Sequence, residues 1–109
     1  MRSNYDKEVS IMGYTMLMDA RGSGENKYYG ARIINTEAKE KNRFAPDMTP
    51  NAPNPFTEEG SGKYTIETHI TGIGNLTLEE YPIYIEAMQI AFPVAQQLQG
   101  ILNNFIENN

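Results

Sequence analysis

LTLEEYPIYIEAMQIAFPVAQQLQGILNNFI, residues 76–106, is the stretch whose reading decides the fold. Thr77 and Glu80 stand at the spacing of a capping box, in which each side chain caps the other residue's backbone amide, and Leu76 and Tyr81 are placed to staple it. The spacing therefore predicts a helix over 77–106. Tyr81, Ile85, Met88, Phe92, Ala95, Leu98, Leu102 and Phe105 recur every three or four residues, and Tyr84, Ile90, Val94 and Ile101 widen the apolar face. The polar remainder is a narrow stripe of Glu86, Gln89, Gln96, Gln97, Asn103, Asn104 and Glu107. So wide a face exceeds what a small sheet can cover. The expectation is a homodimer or higher oligomer, with Leu98, Ile101, Leu102 and Phe105 at the interface.

Two prolines interrupt the pattern. Pro82 either restarts the helix after a separate capping turn or bends its beginning, and Pro93 removes the backbone bond to Gln89. Gly100 loosens the helix once more.

Upstream, Glu8 to Ala20 reads as a strand whose alternation changes phase. Val9 and Ile11 are apolar at odd positions, whereas Tyr14, Met16 and Met18 are apolar at even ones. One extra residue accounts for the change, and Gly13 is the natural place for a bulge. Gly22, Ser23 and Gly24 mark a hairpin tip before a second strand from Lys27 to Asn35, completing a strand hairpin over 8–35. Residues 36–62 hold four of the six prolines and have no clear period, which predicts a loop or arm, mobile or partner-dependent over 44–62. Residues 63–71 alternate cleanly, with Tyr64, Ile66 and Ile70 on one face and Thr65, Glu67, His69 and Thr71 on the other. The expected fold is a single α+β domain over 1–109, a three-stranded antiparallel sheet followed by one long kinked C-terminal helix packed on one face.

The 109 residues carry no cysteine and a single histidine, which excludes disulfide scaffolds and cysteine-ligated zinc and leaves little for a histidine metal site. No metal and no cofactor is expected. The first ten residues lack the apolar core of a signal peptide, and the uncharged run 87–106 contains four Gln and two Asn, too polar for a bilayer. No membrane partner and a cytoplasmic location are expected. His69 beside Glu67 is the single pair resembling acid/base machinery, and two polar residues at i and i+2 are what any half-exposed strand shows. A non-enzymatic protein is expected.

The net charge of −5 argues against a polyanionic partner, but its distribution is uneven. Residues 1–62 carry eight Lys/Arg against nine Asp/Glu, and residues 63–109 one against five. Tyr14, Tyr28, Tyr29, Tyr64 and Phe44, interleaved with Lys27, Arg32 and Arg43, form a candidate single-stranded nucleic-acid surface, because bases stack on rings while cations follow the phosphates. The competing reading places most of these rings in the core.

Three strands feeding a capped helix resemble the β-β-β-α unit of the Whirly family and of coactivator-type single-stranded-DNA-binding domains. Thr77, Leu78, Glu79, Glu80 and Tyr81 at the helix entry and Ala91, Phe92 and Pro93 within it carry the likeness. The resemblance implies an oligomer that binds single strands on its sheets, and it transfers no individual binding residue. The rival expectation is an acidic interaction protein of the phage or mobile-element type that binds or inhibits a host protein. Surface charge discriminates the two: Arg21, Lys27, Arg32 and Arg43 gathered on one face favour nucleic acid, and dispersed cations with a continuous Glu79, Glu80 and Glu86 surface favour a protein target.

Overall fold

The structure, a computed structural model, describes residues 5–51, 64–69 and 73–109. It is an α+β fold with strands β1 (Lys7–Ile11), β2 (Tyr14–Arg21) and β3 (Tyr28–Ile34), helix α1 (Thr36–Lys41), strands β4 (Asp47–Asn51) and β5 (Thr65–His69), and helix α2 (Tyr81–Asn108). β1, β2 and β3 form an antiparallel sheet in sequence order, and β4 and β5 pair antiparallel in a second sheet.

The phase change at Gly13 is a turn rather than a bulge. Met12 and Gly13 have φ of 51° and 87°, the two positive values that a two-residue type I′ hairpin requires, and Ile11 pairs with Tyr14 across it. What reads as one strand is therefore two, and the chain reverses where the parity slips. After the reversal, paired residues share a face. Val9 and Ile11, Tyr14, Met16 and Met18, and Tyr29, Ala31 and Ile33 all point to the core side of the sheet.

This rearranges the expected strand set. The three-stranded sheet is complete by Ile34, so the clean alternation after Tyr64 has no place in it and pairs instead with β4, inside the stretch expected to be loop. Pro50 lies opposite Ile66 in that ladder. A proline cannot donate, so β4 suits a strand paired on one side only. Residues 52–62 of the expected loop, and Lys63, Ile70 and Thr71 of the expected strand, lie outside the described residues.

The entry to α2 forms the capping box. The Thr77 amide donates to Glu80 Oε1 at 3.0 Å, and the Glu80 amide donates to Thr77 Oγ1 at 3.3 Å. The box closes a separate turn over residues 78–80, and the α-helix restarts at Tyr81 with Pro82 in its first turn, where a missing amide proton costs nothing. The helix then runs 28 residues, through Pro93, which is exposed.

Its buried face is Ala87, Met88, Ala91, Val94, Ala95, Leu98, Leu102 and Phe105. Met16 and Met18 from the central strand and Leu98 and Leu102 from α2 are the largest fully buried side chains. Each contributes roughly 1.5–3 kcal/mol by leaving water. Gln99 joins α2 to the second sheet by accepting from the Ile66 amide at 2.8 Å and donating to the Tyr64 carbonyl at 2.9 Å. Among the described residues no helix is long and apolar enough to cross a membrane.

Candidate functional site

The face of the three-stranded sheet opposite α2 is where a stacking surface is expected. Of the candidate residues, Tyr28 and Arg32 lie there, four residues apart on β3, and Tyr28 is 61 % exposed. Tyr14 and Tyr29 point the other way. Tyr14 is 2 % exposed, and its hydroxyl donates to the Pro46 carbonyl at 2.8 Å. Burial, reinforced by the Asp47 charge, pushes its hydroxyl up to about 12. Tyr29 meets Phe105 edge-on at 6.5 Å, Lys27 lies over its ring at 6.0 Å, and its carbonyl accepts from the Tyr64 hydroxyl. The register that follows the Met12–Gly13 turn puts both rings on the core side of the sheet, Tyr14 buried and Tyr29 half-buried.

The cations are dispersed. Arg21 pairs with Asp6 and Asp19, Lys39 with Asp47, and Lys41 with Glu37. Arg43 stacks on Phe44 at 4.3 Å and pairs with Glu80 at the entry to α2, away from the sheet. Arg32 stands opposite Leu17, which faces Glu8 on its other side. The outer face thus mixes Glu8, Asp19, Arg21 and Arg32 rather than gathering positive charge. His69 and Glu67 approach to 3.9 Å on an exposed strand. Among the described residues no three His, Asp or Glu side chains gather as a metal site would require.

The expected oligomer contacts are also placed differently. Leu98 and Leu102 are 0 % and Phe105 6 % exposed within a single chain, so these three belong to the chain's own core, and Ile101 packs against it half-buried. The physical reason is rotation of the buried stripe. Small residues, Ala87 and Ala91, face inward in the first half of α2, where the 3–4 pattern of large residues pointed to Tyr81, Ile85 and Phe92 instead. Those three, with Leu78, Ile83 and Ile90, are 39–88 % exposed. Large side chains mark the apolar flanks of this helix, and alanines mark the side that packs closest.

That close packing builds a feature no motif in the sequence marks. The β1–β2 turn sits against the start of α1, where the Ala38 amide donates to the Gly13 carbonyl at 3.1 Å. An added Cβ on Gly13 would lie 2.6 Å from the Ala38 nitrogen, so the contact needs glycine. Between this corner and α2 lies a mostly apolar crevice of about 120 Å³ lined by Tyr14, Ala38, Ala45, Ala87 and Ala91, with Met12, Lys41, Asn42 and Ile90 completing its border. Four alanines leave room that larger side chains would have filled. Met12 is 62 % exposed and holds a left-handed backbone, where Asn, Asp or Gly is usual. Met12 thus holds an exposed, polarizable side chain, on a backbone conformation that is strained for methionine, beside the apolar hollow.

No protein-family model, curated protein sequence or solved structure matches this chain.

Proposed function

We propose that this protein is a non-enzymatic binding protein whose target is another protein, and that the crevice between α1 and α2 receives one large apolar side chain of that target. The observation that carries the reading is Met12: a methionine with φ of 51° at the lip of a hollow lined by four alanines. An apolar cavity of roughly 150 Å³ accepts a ring the size of benzene, so about 120 Å³ suits the end of a leucine or phenylalanine side chain. Met12 and Ile90 close over such an anchor, and the flexible thioether adapts to its shape. The paired, dispersed cations and the inward rings of Tyr14 and Tyr29 support a protein target over a single strand of nucleic acid.

A photo-crosslinking residue placed at position 12 or 90 tests this in cells of the source organism. The expected result is one discrete protein adduct, reproduced with the purified partner and lost when Ala91→Leu fills the crevice. A crosslinker at position 28 serves as the control on the sheet face. Binding of oligonucleotides at low salt that depends on Tyr28 and Arg32, with no protein adduct at position 12 or 90, would return the assignment to nucleic acid.

A further inference from the structure

Each sheet has two outer strands, and the outer edge of a strand is a row of backbone groups on which a further strand can pair. On β3, β4 and β5 that edge is blunted by an identifiable device. Gln99 holds the Ile66 amide and the Tyr64 carbonyl on the outer edge of β5. Pro50 stands opposite Ile66, hence on the outer edge of β4, and has no amide proton to offer. On β3 the Tyr29 carbonyl accepts from the Tyr64 hydroxyl.

β1 is different. Ile11 and Tyr14 flank a two-residue turn, so the backbone groups of Ile11, Val9 and Lys7 bond to β2, and those of Glu8 and Ser10 point outward. The Ala20 amide, which donates to Asp6 Oδ2 at 3.0 Å on the β1 side of β2, fits the same alternation. Among the described residues, the outward groups of Glu8 and Ser10 have no backbone partner.

We propose that this edge pairs with the same edge of a second copy of the chain, antiparallel and centred on Val9, so that two three-stranded sheets become one. The residues themselves select that register. Centring on Glu8 sets Glu8 against its own copy, and centring on Ser10 sets Glu8 against Met12, whose positive φ takes it out of the strand. Centred on Val9, Glu8 of one copy and Ser10 of the other exchange amide and carbonyl bonds, Val9 meets Val9, and Lys7 stands opposite Ile11. All of β1 is then paired, and no like charges face each other. Paired residues share a face, so the half-buried Val9 and Ile11 of both copies stay on the core side.

Charge favours a second copy over a foreign strand. Lys7 lies on the core side of β1, opposite Met18, yet is exposed. A lysine on the inward side of an edge strand keeps most strands away, because its ammonium must find an acceptor. This chain offers one. Ile11 lines a groove beside α2 with Ile101, Asn104 and Glu107. Glu107 is exposed, and residues 76–109 contain no Lys, Arg or His, so its own helix cannot neutralise it. Neither Lys7 nor Glu107 has an ion-pair partner among the described residues. The Val9-centred register sets Lys7 of one copy against Ile11 of the other, beside the groove that Glu107 lines, and symmetry repeats the match.

The chain has no cysteine, so an introduced thiol is the only one present. Under mild oxidation, Val9→Cys should link to itself about 10-fold faster than Glu8→Cys or Ser10→Cys does, because only Val9 meets its own copy. Sedimentation equilibrium of the unmodified protein should show the mass rising from one chain towards two across the micromolar range and stopping there, since the pairing uses up the edge. Ser10→Pro deletes an outward amide where an edge strand tolerates proline, and should stay monomeric with an unchanged circular dichroism spectrum. Lys7→Glu and Glu107→Lys should each move dimerisation to higher concentration, and the two together should restore it. Both residues are exposed, so these reversals decide the matter if Ser10→Pro does not fold. A monomeric mass up to millimolar concentration overturns the proposal, including the case in which β1 takes a foreign extended chain instead. So does a dimer that survives in folded Ser10→Pro, self-linking of Ser10→Cys as fast as Val9→Cys, or a double reversal that associates no better than the single ones. These readouts follow self-association, whereas the photo-crosslinks at positions 12 and 90 report a different protein, so the two readings fail separately.

Discussion

The Ala38 amide donates to the Gly13 carbonyl at 3.1 Å, and this one bond ties the β1–β2 turn to the first turn of α1. A short helix leaves its first amides without partners, and Asn35, which precedes α1, spends its side chain on Asp47 and Pro46 instead. The turn carbonyl supplies the missing acceptor. It also seats α1, which contributes Ala38 and Lys41 to the crevice, against the turn that contributes Met12.

Gly13→Ala should be strongly destabilising. The new methyl meets the Ala38 backbone, which cannot rotate away, and φ of 87° disfavours any L side chain. A loss of about 2–4 kcal/mol in urea unfolding is expected from strain and overpacking together. A loss below half a kcal/mol would mean the turn is not seated on α1.

Met12→Asn should stabilise the protein and weaken its target binding. Asparagine tolerates the left-handed conformation that Met12 holds, and relief of that strain is expected to add about 0.5–1 kcal/mol, read as a higher melting temperature. The same change removes the lip of the crevice, so photo-crosslinking from position 90 should fall. Gain of stability with undiminished crosslinking would leave Met12 without a role in contact.

Tyr14→Phe should cost about 1–2 kcal/mol at neutral pH, because the Pro46 carbonyl loses a buried donor. It should also alter alkaline unfolding. With the folded hydroxyl raised to about 12, the folded state holds its proton after the unfolded chain has released it near pH 10. Stability from this group is complete below pH 10 and is lost as pH climbs through 12. The loss is roughly 2–3 kcal/mol in the unmodified protein, and its slope over that window should be shallower in Tyr14→Phe.

Leu102→Ala should destabilise by about 2–5 kcal/mol, the cost of a cavity at a fully buried position, whereas Phe92→Glu should change stability by less than about 1 kcal/mol. The two residues belong to the same apolar series in sequence. Equal effects in thermal unfolding would contradict their different burial.

The capping box at Thr77 and Glu80, the helix that follows, and the strand character of the residues around Met16, Ala31 and Ile66 are all legible in the sequence, because they rest on local chemistry and short periods. The location of the fold's reversal is nearly legible too. The parity slip at Gly13 was a turn signal, but Met beside Gly lacks the asparagine or aspartate that marks a type I′ hairpin, so a bulge explains the same pattern. Which face of a periodic helix is buried was decided only in three dimensions. Periodicity ranks residues by apolar size, and the tightest approach between elements selects the smallest, so Ala87 and Ala91 went inside and Phe92 stayed out. Partner strands were likewise settled by tertiary structure. β5 alternates as any half-buried strand does, and nothing local distinguishes pairing with β4 from pairing with β3. The crevice, lined by four alanines from three segments, two of its bordering elements joined by a backbone hydrogen bond between residues 25 positions apart, had no sequence signature at all, because no single segment contains it.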